Sequence, residues 1–323
     1  MSRSSIALSA VTLVVALAAP VFAQEFPNGL IRLVVPSPTG TPPDIVSRLV
    51  ANQISESRGW QLIAENRPGA IQTIGLGEVL KRPADGHTLA AIALSSTAAP
   101  ALLPKVAFRL DRDFAPVVKL AAAYHVLVVN PSVPAKSVRE LVALLKSQPD
   151  KLTFSSGGFG TPAHLAGEMF KLQTGVRARH VPYKGLSQAI PDLLNGTNQF
   201  QFITPLPVLD LIAAGKLRAL AVTGPKRLSA LRDVPTVVDE GFPDLIIQDW
   251  FGIVVRSGTA NEIVLRLNKA FTDALAKPNV RASIEKLAAE PAGGTPAEFA
   301  HFIAGQLGYW AKVVNDSGIK IHQ

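Results

Sequence analysis

Gly157-Gly158-Phe159-Gly160-Thr161-Pro162-Ala163-His164-Leu165-Ala166-Gly167-Glu168 follows the extended apolar run 151–155 and precedes His180-Val181-Pro182-Tyr183-Lys184-Gly185. Three glycines make a loop. Thr161 stands at the N-cap of a helix whose first residue is Pro162. Loop N–H groups and the unpaired donors of a helix N-terminus converge there, and the helix dipole favours negative charge. The stretch therefore predicts a strand, a cradle fitted to a carboxylate, and a helix.

A second stretch has the same build. Residues 31–35 read as a buried strand, and Pro36-Ser37-Pro38-Thr39-Gly40-Thr41-Pro42-Pro43-Asp44 is a loop opening a helix whose core face carries Ile45, Val46, Leu49, Val50 and Ile54. Together with Glu65-Asn66-Arg67-Pro68-Gly69-Ala70 and Asp85-Gly86-His87-Thr88-Leu89, these motifs resemble, in order and spacing, the tripartite tricarboxylate transporter receptors, the Bug family of periplasmic solute-binding proteins. The resemblance runs over nearly the whole chain after residue 23. Two places depart from it. The family's Pro-Ala-Gly-Gly loop reads Pro36-Ser37-Pro38-Thr39-Gly40, and its Gly-Gly-Asn reads Ile71-Gln72-Thr73.

The resemblance implies a type II-like periplasmic binding protein fold, two α/β lobes with the ligand cleft between them. It also implies docking to inner-membrane transporter subunits, or to a sensor ectodomain where the role is signalling. The sequence itself alternates strand-like and helical patterns, as α/β proteins do. Strands are expected at 31–35, 61–64, 88–94, 125–129, 152–155, 200–203, 218–222 and 246–255. Ser137-Val138-Arg139-Glu140 and Thr295-Pro296-Ala297-Glu298 read as capping boxes. One lobe is expected at 24–124 plus 224–323 and the other at 125–223, because a new apolar run starts at Tyr124 after an alanine-rich link and Gly224-Pro225 punctuates the return.

Residues 1–23 carry one charge, Arg3, then an apolar run, then Val21-Phe22-Ala23, the layout of a secretory signal cut after Ala23. The uninterrupted apolar part is shorter than the ~20 residues a membrane span needs. A periplasmic, monomeric product is expected. Removing the segment takes the formal net charge from +8 to +7. The basic residues are scattered and aromatics make up only 6%, so solubility and mild anion steering account for the charge better than nucleic acid does. No cysteine is present, which excludes disulfides, thiolate catalysis and Cys-ligated metal.

Three other chemistries find less support in the sequence. Gly158-Phe159-Gly160-Thr161-Pro162-Ala163 fits a G-x-G-x-x-A dinucleotide fingerprint, with Arg177 and Arg179 where a 2′-phosphate would sit. An exported chain has no evident nicotinamide supply, and Gly157 and His164 belong to the receptor pattern. No G-x-S-x-G elbow occurs, and the six histidines lack metal-ligand spacing. The expectation is a receptor without cofactor or metal, not an enzyme.

The expected ligand contacts are Ser37, Pro38, Thr39, Gly40 and Thr41 of one loop, Ser156, Gly157, Gly158, Phe159, Gly160 and Thr161 of the other, each loop gripping one end of a small organic carboxylate. Ser95, Ser96 and Thr97 join them, at the end of a strand, where open α/β sheets meet ligands. Asp44 either caps its helix or touches the ligand. His164 either faces the cleft or bonds nearby backbone. Tyr183 presents a phenol to the cleft, whereas Lys184 reads as solvated. Asn66 and Arg67 read as turn structure and Trp250 as core.

Overall fold

A computed structural model describes residues 26–319, so the signal segment lies outside the described residues. The strands are β1 Ile31–Val35, β2 Leu62–Asn66, β3 Thr88–Ala93, β4 Phe114–Tyr124, β5 Val126–Val129, β6 Thr153–Ser156, β7 Arg179–Pro182, β8 Phe200–Ile203, β9 Arg218–Val222, β10 Gln248–Arg256 and β11 Ala289–Gly293. They form two sheets, ordered β11-β4-β10-β3-β1-β2 and β7-β6-β8-β5-β9. Within the first, β1 is parallel to β2 and β3, while β10 runs antiparallel to β3 and β4. Within the second, β6 is parallel to β7 and β8, and β5 is antiparallel to β8 and β9. Both sheets are mixed, and β5 and β10, the strands that receive the chain after each crossing, run against the parallel strands of their sheets.

The chain changes sheet at His125, the single residue between β4 and β5. It returns at Gln248. The stretch between β9 and β10 stays with the second sheet, since Val222 N–H donates to Pro235 O (2.9 Å) and Val237 N–H to Val222 O (2.9 Å). Residues 121–123 are not a link but the buried end of β4, paired with β10 on one side and β11 on the other. Alanine has little strand propensity of its own; two-sided pairing in a buried layer decides here. Strands β7 and β11 are sheet edges and contain Pro182 and Pro291, where the missing N–H costs the sheet least.

Thr295 and Glu298 form the reciprocal capping box of helix Pro296–Ser317. Ser137 accepts from Glu140 N–H, but the Glu140 carboxylate turns to Lys136 N–H (2.7 Å) instead of closing the box. Trp250 is fully buried against Phe299 and Phe302, with ring centroids 5.8 and 5.2 Å away. Three helices open beside the cleft from the first sheet: α1 Pro42–Arg58, α2 Thr73–Leu80 and α3 Leu94–Leu102. Helix Pro162–Thr174 faces them from the second.

Candidate functional site

A cavity of about 350 Å³ lies between the sheets. Its walls include Ser37, Pro38 and Thr41 from the loop after β1, Ser95 from α3, and the whole segment Gly157 to Thr161 after β6. The two glycine-bearing loops thus face one another across a single space.

In the loop after β6, Gly158 has φ 128° and Gly160 φ 70°, conformations that side chains other than glycine rarely adopt. Ser156 Oγ accepts from Gly158 N–H (3.1 Å) and lies 2.7 Å from His180 Nε2. Ser156 itself sits behind the cavity wall. His164 is buried, and its Nδ1 accepts from Gly160 N–H at 3.1 Å, so of its two expected roles the structure shows the backbone bond. Burial, reinforced by His180 and Lys171, pushes its pKa down to about 3. A neutral imidazole is what this acceptor role requires.

Thr161 occupies the N-cap position but does not cap with its side chain; its Oγ1 donates to Gly158 O (2.7 Å) and tightens the loop. The helix therefore keeps its first-turn donors, the N–H groups of Ala163 and His164, which have no acceptor inside the helix. Among the described residues the N–H groups of Gly157 and Phe159 also carry no hydrogen bond to protein. The second lobe offers a cluster of neutral donors with the helix dipole behind it.

The loop after β1 works differently. Pro42 and Pro43 occupy the first two positions of α1 and remove two of its orphan donors. Thr41 Oγ1 donates to Pro38 O (2.7 Å), and Thr39 Oγ1 to Asn66 Oδ1 (3.1 Å), away from the cavity. Asp44 is buried behind the loop, accepting from Gly40 N–H (2.9 Å), Asn66 Nδ2 (2.8 Å) and Arg48 Nε (2.8 Å). Burial opposes its ionisation, but these donors outweigh burial and hold its carboxyl below the usual range. Thr39, Gly40 and Asp44 are the loop's frame and do not line the cavity.

What this lobe presents is Ser37. Gln72 Nε2 donates to Ser37 Oγ (3.1 Å), and Ser96 Oγ donates to Gln72 Oε1. One lone pair accepts from Gln72, and the Ser37 hydroxyl keeps its own proton to give to the cavity it lines. Ser95, Ser96 and Thr97 follow closely on the C-terminal end of β3, which stops at Ala93, and they form the first turn of α3. Ser96 and Thr97 point inward; Thr97 Oγ1 donates to Leu94 O (2.7 Å). Ser95 crosses the cleft and donates to Gly160 O at 2.8 Å.

Tyr183 also differs from expectation. Its hydroxyl is engaged by Asp192 and by Asn198 Nδ2, and it is Lys184, with Gly185 and Leu186, that reaches the cavity. The strand-end turn was legible, but its pleat was not: one residue of offset exchanges the inward and outward faces.

Of the lining residues that the sequence did not mark as ligand contacts, Ile71, Gln72, His125 and Asp249 bear most on the chemistry. Ile71 and Gln72 stand where the family carries glycines, and Ala70, Ile71 and Gln72 have φ of 43°, 51° and 72°, three left-handed residues in succession. His125 and Asp249 lie where the chain crosses between sheets and are 3% and 4% exposed. Burial lowers His125 to about 4 and raises Asp249 to about 7, the latter opposed only by the Trp250 N–H bond. The available signal was a lone acid inside the apolar run 246–255. Among the residues lining the cavity only His125, Lys184 and Asp249 carry an ionisable side chain, and none is arginine.

Comparison with known proteins identifies the family. The profile described as "Tripartite tricarboxylate transporter family receptor" matches residues 36–319. Protein BugT of Bordetella pertussis is 34% identical, the match covering 94% of each chain. The solved structure described as R. palustris Rpa4515 with adipate is similar with a TM-score of 0.83 at 31% identity, over 92% of this chain and 99% of that one. MatC from Rhodopseudomonas palustris with bound malate gives 0.80 at 29% identity, over 90% of this chain and 100% of that one. The chain belongs to the tripartite tricarboxylate transporter receptor family, a family of solute-binding proteins with two α/β lobes.

Proposed function

We propose that this protein is an exported receptor that captures a small organic carboxylate between its lobes and carries it, unchanged, to an inner-membrane transporter. The observation that supports this best is the pairing of an oriented Ser37 hydroxyl with the donor cluster of the Gly157–Thr161 loop on opposite walls of one cavity. Neutral donors hold carboxylates well, each charge-assisted bond contributing roughly 1.5 to 3 kcal/mol net. Adipate and malate in the related structures point to the same chemistry. Export rests on the signal-like residues 1–23, and among the described residues no helix is long and apolar enough to cross a membrane. Motion of the lobes would hinge at His125 and near Gln248, with residues 224–247 travelling with the second sheet.

A panel of mono-, di- and tricarboxylic acids and amino acids, read by thermal shift and followed by recovery of the hit, tests this reading. An acid at about 100 times its Kd adds ~2.7 kcal/mol of stability and leaves the protein intact in 1:1 yield. Stabilisation by neutral sugars alone, or chemical conversion of the acid, would refute it.

A further inference from the structure

The cavity is electrically uneven. At its rim stand the donor loops and the exposed Lys184. At its hinge side stand Asp249, in β10 opposite Ala123 of β4, and His125, the residue joining β4 to β5. Among the described residues the only hydrogen bond to the Asp249 side chain comes from Trp250 N–H to Oδ1 at 2.9 Å, and no cation pairs with it. His125 Nδ1 is buried without any partner. Asp249, nearly inaccessible, lining a ligand cavity and short of partners, is costly unless the ligand completes it.

An ammonium group completes it. It brings the opposite charge to Asp249 and has N–H donors for the free carboxylate oxygen and for a neutral imidazole nitrogen. Wherever Asp249 is ionised, a second carboxylate would instead meet a like charge, in a space with no arginine to compensate. The burial that keeps His125 neutral leaves it an acceptor there.

We propose that Asp249 and His125 form a recognition site for a protonated amine at the end of the ligand remote from its carboxylate, so that the protein takes a zwitterion with its charges at opposite ends. This rests on the carboxylate-receptor reading and assigns the other half of the ligand.

The test compares ω-amino acids of four to six carbons with the unbranched dicarboxylates of the same length, by calorimetric titration of the full chain. Each pair differs only at the far end. The wild type should bind its best ω-amino acid at least ~10-fold tighter than the matching diacid. Asp249→Asn keeps the acceptor for Trp250 N–H and removes the charge, so it should lose that preference or reverse it. Its retained binding of the diacid would show that the variant is folded. Tighter diacid binding by the wild type overturns the inference while leaving the carboxylate reading intact. An amine preference unchanged in Asp249→Asn overturns it as well. Binding of neither series overturns it too, and the wider acid panel then decides the carboxylate reading separately.

Discussion

Lowering the pH from 7.5 to 5 should cost this protein about 3 kcal/mol of folding stability, with the loss roughly doubling by pH 4. Burial holds His125, His164 and His180 near 4, 3 and 4, whereas an unfolded histidine titrates near 6.5. A depressed histidine pKa means that the unfolded chain takes up protons first, so stability is complete above ~6.5 and drains as pH falls. Each contributes about 2 kcal/mol at pH 5, the partly exposed His180 least. Asp249 acts in the other direction. Its pKa is raised to about 7, so the penalty of burying it shrinks on acidification and returns ~2.5 kcal/mol over the same interval. Urea unfolding at the two pH values measures the net. Asp249→Asn should be ~4 kcal/mol more stable at pH 7.5 and should lose more than the wild type on acidification. A flat wild-type profile would mean that the histidines charge freely and that the packing around the loop after β6 is wrong.

Adding one methyl group at Gly160 should weaken ligand binding 10- to 100-fold, about 1.4 to 2.7 kcal/mol, with the protein still folded. A Cβ there would stand 2.7 Å from Ile71 Cδ1 and 2.8 Å from its Cγ2, atoms of the opposite lobe. The left-handed φ adds a further ~1 kcal/mol to the cost of Gly160→Ala, borne by the loop itself. The collision arises only when the lips of the cleft meet, as they do where Ser95 donates to Gly160 O, so the variant should favour separated lobes. Ile71→Ala in the same chain should recover at least fivefold of the lost affinity, because it removes the atoms that collide. A double variant no better than the single one would place the defect in the loop and not in closure.

Much of this site could be read from sequence because it depends on local chemistry. Glycine spacing, a proline at the first helical position and a preceding apolar run describe the loop after β6 without any knowledge of the rest of the chain. The same holds for the loop after β1, except that local reading cannot tell a lining residue from a framing one. Thr39 and Asp44 look like ligand contacts until Asn66 and Arg48, brought in by β2 and α1, are seen to engage them. Ser96 and Tyr183 were misassigned for the same reason: their partners, Gln72 and Asp192, are 24 and 9 residues away. β4 was hidden because its alanines become a strand only between β10 and β11. His125 and Asp249 come together through chain crossings that no periodicity encodes.

The central claim is that one carboxylate is held between two opposing loops by neutral donors. A crystal structure with the tightest acid from the panel tests it most directly. The account predicts carboxylate oxygens within hydrogen-bond distance of Ser37 Oγ or of the N–H groups of Gly157 and Phe159, the acid chemically intact, and Ile71 against Gly160 as in the present structure. An acid bound elsewhere, or one held in this cavity with both loops turned away from it, would contradict the account.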